Sequence, residues 1–240
     1  MLKNALKTLV IWLSLSGLAS ADSVQFNSLP PESDPVVQKL HGAWQFRYFP
    51  SSDAGKDEEF YQSNFSVKDW QSIKVPGHWE MQGFAAPYYA GDLKEGLGLY
   101  RLNFKAKKPT AGGRCYLRFD GVLFGFTAWV NGKKLGEWNA GFNPVTFDVT
   151  DALHEGEGEN VLAVRVSTRS RGWDFDTMDC WSISGIYRDV TLYTLPATHL
   201  LDHTVRTTLA ADGSAEISLQ AKASRASQCV ARLRSPQGAA

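Results

Sequence analysis

From Ala43 onward the chain alternates apolar and polar residues with a period of two. In 160–168, Leu162, Val164 and Val166 fall on one face, the pattern of a half-buried strand. The same spacing predicts strands at 43–49, 98–106, 114–122, 126–131, 133–138, 144–149 and 186–195. Asn131-Gly132 separates two of these runs, and Asn-Gly accepts the positive φ angles of a tight type I′ hairpin. Segment 151–159 is too short and too broken by glycine for a helix, and no heptad or fixed-period repeat occurs. Strands separated by turn signals every 8–12 residues or so predict an all-β chain built as an antiparallel sandwich or jelly roll.

Residues 22–42 are polar and marked by Pro30, Pro31 and Pro35, an extended lead-in to that sandwich. After Pro196 the texture changes. Residues 199–210, 214–223 and 228–234 predict three more strands, the opening of a second β unit that three strands cannot complete. The expected organisation is therefore 22–196 for the first domain and 197–240 for the start of a second.

Residues 1–21 are expected to lie outside the fold. Lys3 and Lys7 precede an uncharged stretch, Thr8–Ala19, which ends in Ala19-Ser20-Ala21, the small-residue pattern of a cleavable export leader. That stretch is shorter than the roughly 20 apolar residues a bilayer-spanning helix needs, and no second long apolar run follows. The expected product is exported, to the periplasm or beyond, with no membrane span. Lys+Arg and Asp+Glu both number 25. Loss of Lys3 and Lys7 leaves 23 basic against 25 acidic side chains, net −2, which excludes the basic excess of a nucleic-acid-binding domain. Cys115, Cys180 and Cys229 are widely spaced and odd in number, with no CxxC pair to hold zinc.

Carboxylates dominate the candidate chemistry, because glycoside hydrolysis needs an acid and a nucleophile or base flanking the bond. Two acidic clusters, Asp57-Glu58-Glu59 and Glu155-x-Glu157-x-Glu159, lie in polar loop stretches and read as solvated charge. Asp174, Asp176 and Asp179 differ, being set among Trp173, Phe175, Met178 and Trp181. Carboxylates accept sugar hydroxyls while aromatic rings cover the sugar's C–H face. The same pattern also fits a loop that packs its aromatics inward and uses aspartates to turn. His199 and His203 have a metal-pair spacing, but in a strand they stand about 13 Å apart along the chain.

Read in order, a series of motifs is familiar. They begin with Leu40-His41-Gly42-Ala43-Trp44-Gln45-Phe46, then Val75-Pro76-Gly77-His78-Trp79-Glu80-Met81-Gln82-Gly83, Pro87-Tyr88-Tyr89 and Leu99-Tyr100-Arg101. Leu117-Arg118-Phe119-Asp120-Gly121-Val122, Trp129-Val130-Asn131-Gly132-Lys133 and Phe142-Asn143-Pro144-Val145-Thr146-Phe147-Asp148 follow. Asp179-Cys180-Trp181-Ser182-Ile183-Ser184-Gly185-Ile186-Tyr187-Arg188-Asp189-Val190 ends the series. Together, over roughly residues 40–195, they resemble the N-terminal sugar-binding domain of glycoside hydrolase family 2, and most closely that of its β-galactosidases.

The resemblance implies a galactose-binding-like jelly roll, followed by the start of an immunoglobulin-like sandwich. It implies that Asp179 contacts galactose hydroxyls and a bound sodium ion. His78 occupies a position that is commonly an asparagine approaching the sugar; histidine offers one hydrogen bond there and not an amide's paired donor and acceptor. Trp181 is expected to pack beneath the aspartate loop. The family's two catalytic glutamates sit on a later (β/α)8 barrel, after an Asn-Glu pair that this chain lacks, so no catalytic residue is assigned here. A barrel alone takes about 250 residues. Magnesium and a homo-oligomer belong, by the same resemblance, to a complete enzyme. A stand-alone, non-catalytic carbohydrate-binding module remains the alternative from a different class.

Overall fold

In the computed structural model, the described residues are 6–14, 27–55, 59–89, 95–106, 109, 111–154, 158–173 and 181–234. They fall into two compact units. The larger spans Pro30–Pro196; the smaller gathers the chain from Ala197 with Leu6–Ser14 and residues 27–29.

The strands, in chain order, are β1 Leu6–Ser14, β2 Val37–Lys39, β3 Gly42–Phe49, β4 Gln71–Val75, β5 Tyr88–Tyr89 and β6 Leu97–Lys105. Next come β7 Arg114–Phe119, β8 Val122–Leu123, β9 Gly125–Val130, β10 Lys133–Trp138, β11 Val145–Asp148 and β12 Glu159–Ser167. The last are β13 Trp181–Ser182, β14 Gly185–Ile186, β15 Val190–Leu195, β16 Leu200–Leu209 and β17 Ala215–Ala223. A six-stranded sheet, β10-β9-β12-β6-β3-β4, and a four-stranded sheet, β11-β7-β15-β2, are antiparallel throughout. Their inner faces share one apolar core: Phe46, Tyr100, Val130 and Val164 from the first sheet meet Leu117, Phe147, Val190 and Leu192 from the second. This is the all-β sandwich that the alternation predicts. Leu162, Val164 and Val166, the inward face read from sequence, are fully buried.

Asn131 (φ 51°) and Gly132 (φ 82°) close the β9–β10 hairpin with the expected positive angles. Two of the expected strands are broken, and for one reason. Run 114–122 stops at Phe119, and run 186–195 is interrupted at 187–189. The two turns clasp each other: Asp120 N donates to the Asp189 carbonyl at 2.9 Å and Arg188 N to the Gly121 carbonyl at 3.4 Å. A Cβ on Gly121 would lie 2.8 Å from the Tyr187 ring, so the approach needs glycine. Strands β2, β5 and β13 are too short to show an alternation of their own, whereas β4 alternates, with Ile73 and Val75 buried, and is not among the strands expected from sequence.

One tryptophan ties the sandwich to its connecting loops. Trp79, fully buried, packs at 6.0 Å on Phe46 and 5.5 Å on Tyr48, and its indole N–H donates a close hydrogen bond to the Tyr100 hydroxyl. Glycines make the room. A Cβ on Gly98 would sit 2.6 Å from the Trp79 ring, and one on Gly185 (φ +116°) would sit 2.9 Å from it.

The outer face of the six-stranded sheet is half covered. Phe60, with Tyr61, Phe65 and Trp70 around it, packs on Leu97, Leu99, Trp129 and Ala163, and Tyr61 stacks on Trp129 at 5.0 Å and 9°. Arg101 anchors this cover. It is 4% exposed and donates to the carbonyls of Phe60 (2.5 Å), Gln62 (2.7 Å) and Ser63 (3.4 Å). Burial lowers its pKa from the usual arginine value.

In the smaller unit, β16 and β17 form an antiparallel hairpin, and β1 runs parallel to β17 on its other edge. Residues 228–234, expected as a third strand, are irregular. The edge of β17 that such a strand could extend is taken by β1. No described helix is long and apolar enough to cross a membrane. Cys115 lies in the core, Cys229 is half-buried, and Cys180 falls outside the described residues.

Gly98→Ala is expected to destabilise the chain by about 1–3 kcal/mol, because the added methyl overpacks the Trp79 pocket. Urea unfolding followed by tryptophan fluorescence measures this; an unchanged midpoint would show that the indole can shift without cost.

Candidate functional site

Segment 75–89 leaves β4, turns through a 3-10 helix at Glu80–Gln82, and returns as β5. Its backbone is pinned from both sides. Gly77 N donates to the Ile186 carbonyl at 2.8 Å and Trp79 N to the Ser184 carbonyl at 3.0 Å. Gln82 closes the base of the loop: its amide oxygen accepts from Lys74 N (2.8 Å), and its amide nitrogen donates to the carbonyls of Lys74 (3.0 Å) and His78 (3.3 Å). A rigid loop results, with Trp79 facing the core and its neighbours facing outward.

His78 and Glu80 flank that indole. The His78 ring stacks on Tyr187 at 5.3 Å and 16°, and its buried Nδ1 has no hydrogen-bond partner. Desolvation lowers the His78 pKa below 6.5, while a hydrogen bond to the Ser184 backbone pulls the other way. At neutral pH this imidazole is uncharged, and its unpartnered Nδ1 is enclosed by protein. The Glu80 carboxylate accepts the Ser184 N–H at 2.8 Å. Burial raises its pKa above 4.5, against the lowering effect of the Ser184 and Glu80 backbone amides.

Beside Glu80 lies a cleft of about 390 Å³, walled by Tyr48, Trp79, Phe84 and Tyr88, with Glu80 and Glu95 supplying carboxylates. Glu95 is held by the Ser52 hydroxyl at 2.8 Å and by Arg169 at 3.1 Å. The volume falls in the range of roughly 300–1,000 Å³ usual for small-ligand pockets. Aromatic walls with a few fixed carboxylates suit a sugar ring: C–H faces lie on the rings and hydroxyls donate to the acids. The rim is apolar and open. β5 pairs with β13, which sets Trp181 against Tyr89 at 5.4 Å, and both are about half exposed, as is Met81.

Of the residues singled out in the sequence, His78 stands in this loop. Asp179, with Asp174 and Asp176, lies outside the described residues. Trp181 is 54% exposed on a strand that pairs with β5, and the aspartate loop it is expected to pack beneath lies outside the described residues. His203 is engaged by the Ser28 hydroxyl at 2.9 Å. Among the described residues no group of three or more His, Cys, Asp or Glu could hold a metal ion, so the sodium expectation rests on Asp179 alone. Sequence reasoning missed Glu80 and Glu95. Glu80 carried a signal, an acid inside an aromatic motif next to Trp79; Glu95 carried none.

The profile of glycosyl hydrolases family 2, sugar binding domain, matches residues 37–196. The chain belongs to this family. It is 34% identical to a beta-galactosidase of Priestia megaterium over 195 residues, 74% of this chain and 19% of that protein. It is 36% identical to a beta-galactosidase of Clostridium acetobutylicum over 192 residues, 73% of this chain and 21% of that one. The chain thus spans about a fifth of the length of these curated relatives. Among solved structures, a beta-glucuronidase of an uncultured Clostridium sp. superposes with a TM-score of 0.64 at 24% identity, over 83% of this chain and 36% of that one. That likeness shows the shared fold.

The two titrating groups beside Trp79 act on stability with opposite sign. Glu80, its folded pKa raised, stabilises below about pH 4.5, and this contribution is lost as pH rises through the folded value. His78, its folded pKa lowered, stabilises above 6.5 and loses this as pH falls through the folded value. Glu80→Gln keeps an oxygen for the Ser184 N–H and cannot ionise. Its melting temperature is expected to gain on the parent's as pH rises above 4.5, whereas His78→Asn should gain on the parent as pH falls below 6.5. Thermal melts across the acid-to-neutral range check both; parallel curves would mean that neither group is desolvated.

Proposed function

We propose that this chain is the N-terminal sugar-binding portion of an exported, β-galactosidase-like glycoside hydrolase, acting on terminal β-galactosides in carbohydrate catabolism. The observation that carries the proposal is the pinned 75–89 loop, which sets the Glu80 carboxylate at an aromatic cleft of sugar size. In this reading the domain supplies binding and orientation. Asp179 and His78 take sugar hydroxyls, Asp179 also holds sodium, and the exposed Met81, Tyr89 and Trp181 rim meets the part of the enzyme that carries the catalytic glutamates. No catalytic residue is placed in this chain. Magnesium and homo-oligomerisation belong to the whole enzyme.

Two features favour a neutral sugar over a uronate. The curated relatives reported above are named beta-galactosidases. The cleft presents carboxylates, Glu80 and Glu95, which repel a substrate carboxylate at close range. Export is proposed on the leader pattern at Lys3–Ala21, with a mature chain beginning at Asp22.

Immunoblotting of source cells with an antibody against residues 40–195 tests the proposal. The expected band is several-fold heavier than the 26.5 kDa of this chain. A band slightly lighter than 26.5 kDa would overturn it in favour of a stand-alone binding module. The purified 240-residue chain is expected to give no turnover of a chromogenic β-galactoside; turnover would overturn the assignment of catalysis to a different part of the protein.

A further inference from the structure

The outer face of the six-stranded sheet divides in two. Its apolar half, Leu97, Leu99, Trp129 and Ala163, lies under the cover that Phe60 anchors. Its polar half is open and forms the floor of a pocket of about 620 Å³, the larger of the two recesses described in this unit. β3 and β6 build that floor. Gln45 stands opposite Arg101 in the ladder, and Asn103 follows two residues on, on the same face. Ser63 and Phe65 form one wall; His154 and Glu159 form the other.

Arg101 gives the pocket its chemistry. The guanidinium is buried, yet among the described residues no carboxylate lies within ion-pair distance of it. Three of its five N–H groups go to the carbonyls of Phe60, Gln62 and Ser63, and Nε–H has no acceptor among the described residues. A donor with no acceptor among the described residues, on a side chain that lines a polar recess, is open to an oxygen acceptor from outside the chain. Gln45 and Asn103, both exposed, add two amides that each donate and accept. Glu159 adds a pure acceptor, and Phe65 an apolar ring.

That donor set selects its ligand class. A phosphate or uronate would meet the Glu159 carboxylate, and three of the five guanidinium N–H groups that would clasp it already go to carbonyls. An apolar or peptide ligand would leave the amides and Nε–H unpaired. A neutral polyol matches: adjacent hydroxyls pair with amides and carboxylate, a ring or hydroxyl oxygen accepts from Arg101, and one C–H face rests on Phe65. We propose that this pocket is a second carbohydrate-binding site, one that takes a single neutral hexose unit of a glycan. It lies at the opposite end of the sheet from the Trp79 cleft: Val161 of β12 lines the pocket, Thr168 just past the end of β12 lines the cleft, and the seven-residue step from one to the other spans about 23 Å at the usual rise. The site does not rest on the hydrolase reading.

Backbone-amide NMR of the isotope-labelled 240-residue chain, titrated with D-galactose and with D-glucose, tests the site. Saturable shifts are expected at residues 43–45, 63–65, 101–103 and 159–161 with at least one of these sugars. In Gln45→Ala/Asn103→Ala, whose replaced side chains are exposed, the apparent Kd there is expected to rise at least about tenfold, while shifts around residues 77–83 persist. His78→Ala is expected to do the reverse. Shifts confined to 77–83 would overturn the second site and leave the first intact. Shifts at 101–103 produced by sulfate or glucuronate and not by either neutral sugar would overturn the assigned ligand class. An unchanged Kd in the double variant would overturn the assigned residues.

Discussion

Most of this sandwich's functional end depends on seating one indole. Trp79 is the largest side chain in a loop that would otherwise be surface, and it is fully buried. Burying a tryptophan contributes on the order of 3–5 kcal/mol, judged by what its removal costs in cores. The gain exists only because Gly98 and Gly185 leave space on β6 and β14, and because Tyr100 accepts the indole N–H. Three elements far apart in sequence are thereby fixed to one loop, and the residues on either side of Trp79 have no freedom to turn away from solvent.

Constraint becomes chemistry at His78 and Glu80. Both are drawn partly out of water by the anchoring of their neighbour, and burial raises the Glu80 pKa and lowers that of His78. The Ser184 backbone holds the loop twice: its N–H donates to Glu80, and its carbonyl accepts the Trp79 backbone N–H. A single turn of β13–β14 thus sets the electrostatics of the whole loop. Such preorganisation suits recognition of a neutral sugar, which gains from fixed donors and acceptors and little from net charge.

Arg101 does for the outer face what Trp79 does for the top. Its three carbonyl contacts hold the Phe60 segment over Leu97 and Leu99. A buried cation balanced only by carbonyl dipoles is costly unless its remaining donors are satisfied. Arg101 Nε, without an acceptor among the described residues, belongs to a side chain that lines a recess of ligand size.

Local alternation in the sequence determined much of the sandwich. The faces of β12, the β9–β10 hairpin at Asn131-Gly132 and most strand positions follow from residue types within a few places of each other, because side-chain direction in a strand has a fixed period and Asn-Gly readily takes the positive φ angles of that turn. The order of motifs was equally legible, and with it the family. Tertiary structure decided the rest. Runs 114–122 and 186–195 read as continuous strands, yet they break where their turns hydrogen-bond to each other, a contact between segments some seventy residues apart. Glu80 became a desolvated carboxylate only by meeting Ser184, 104 residues later. Arg101 looked like an ordinary exposed strand position until the Phe60 segment closed over it. Solvation depends on what covers a residue, and in an antiparallel sandwich the cover comes from distant chain.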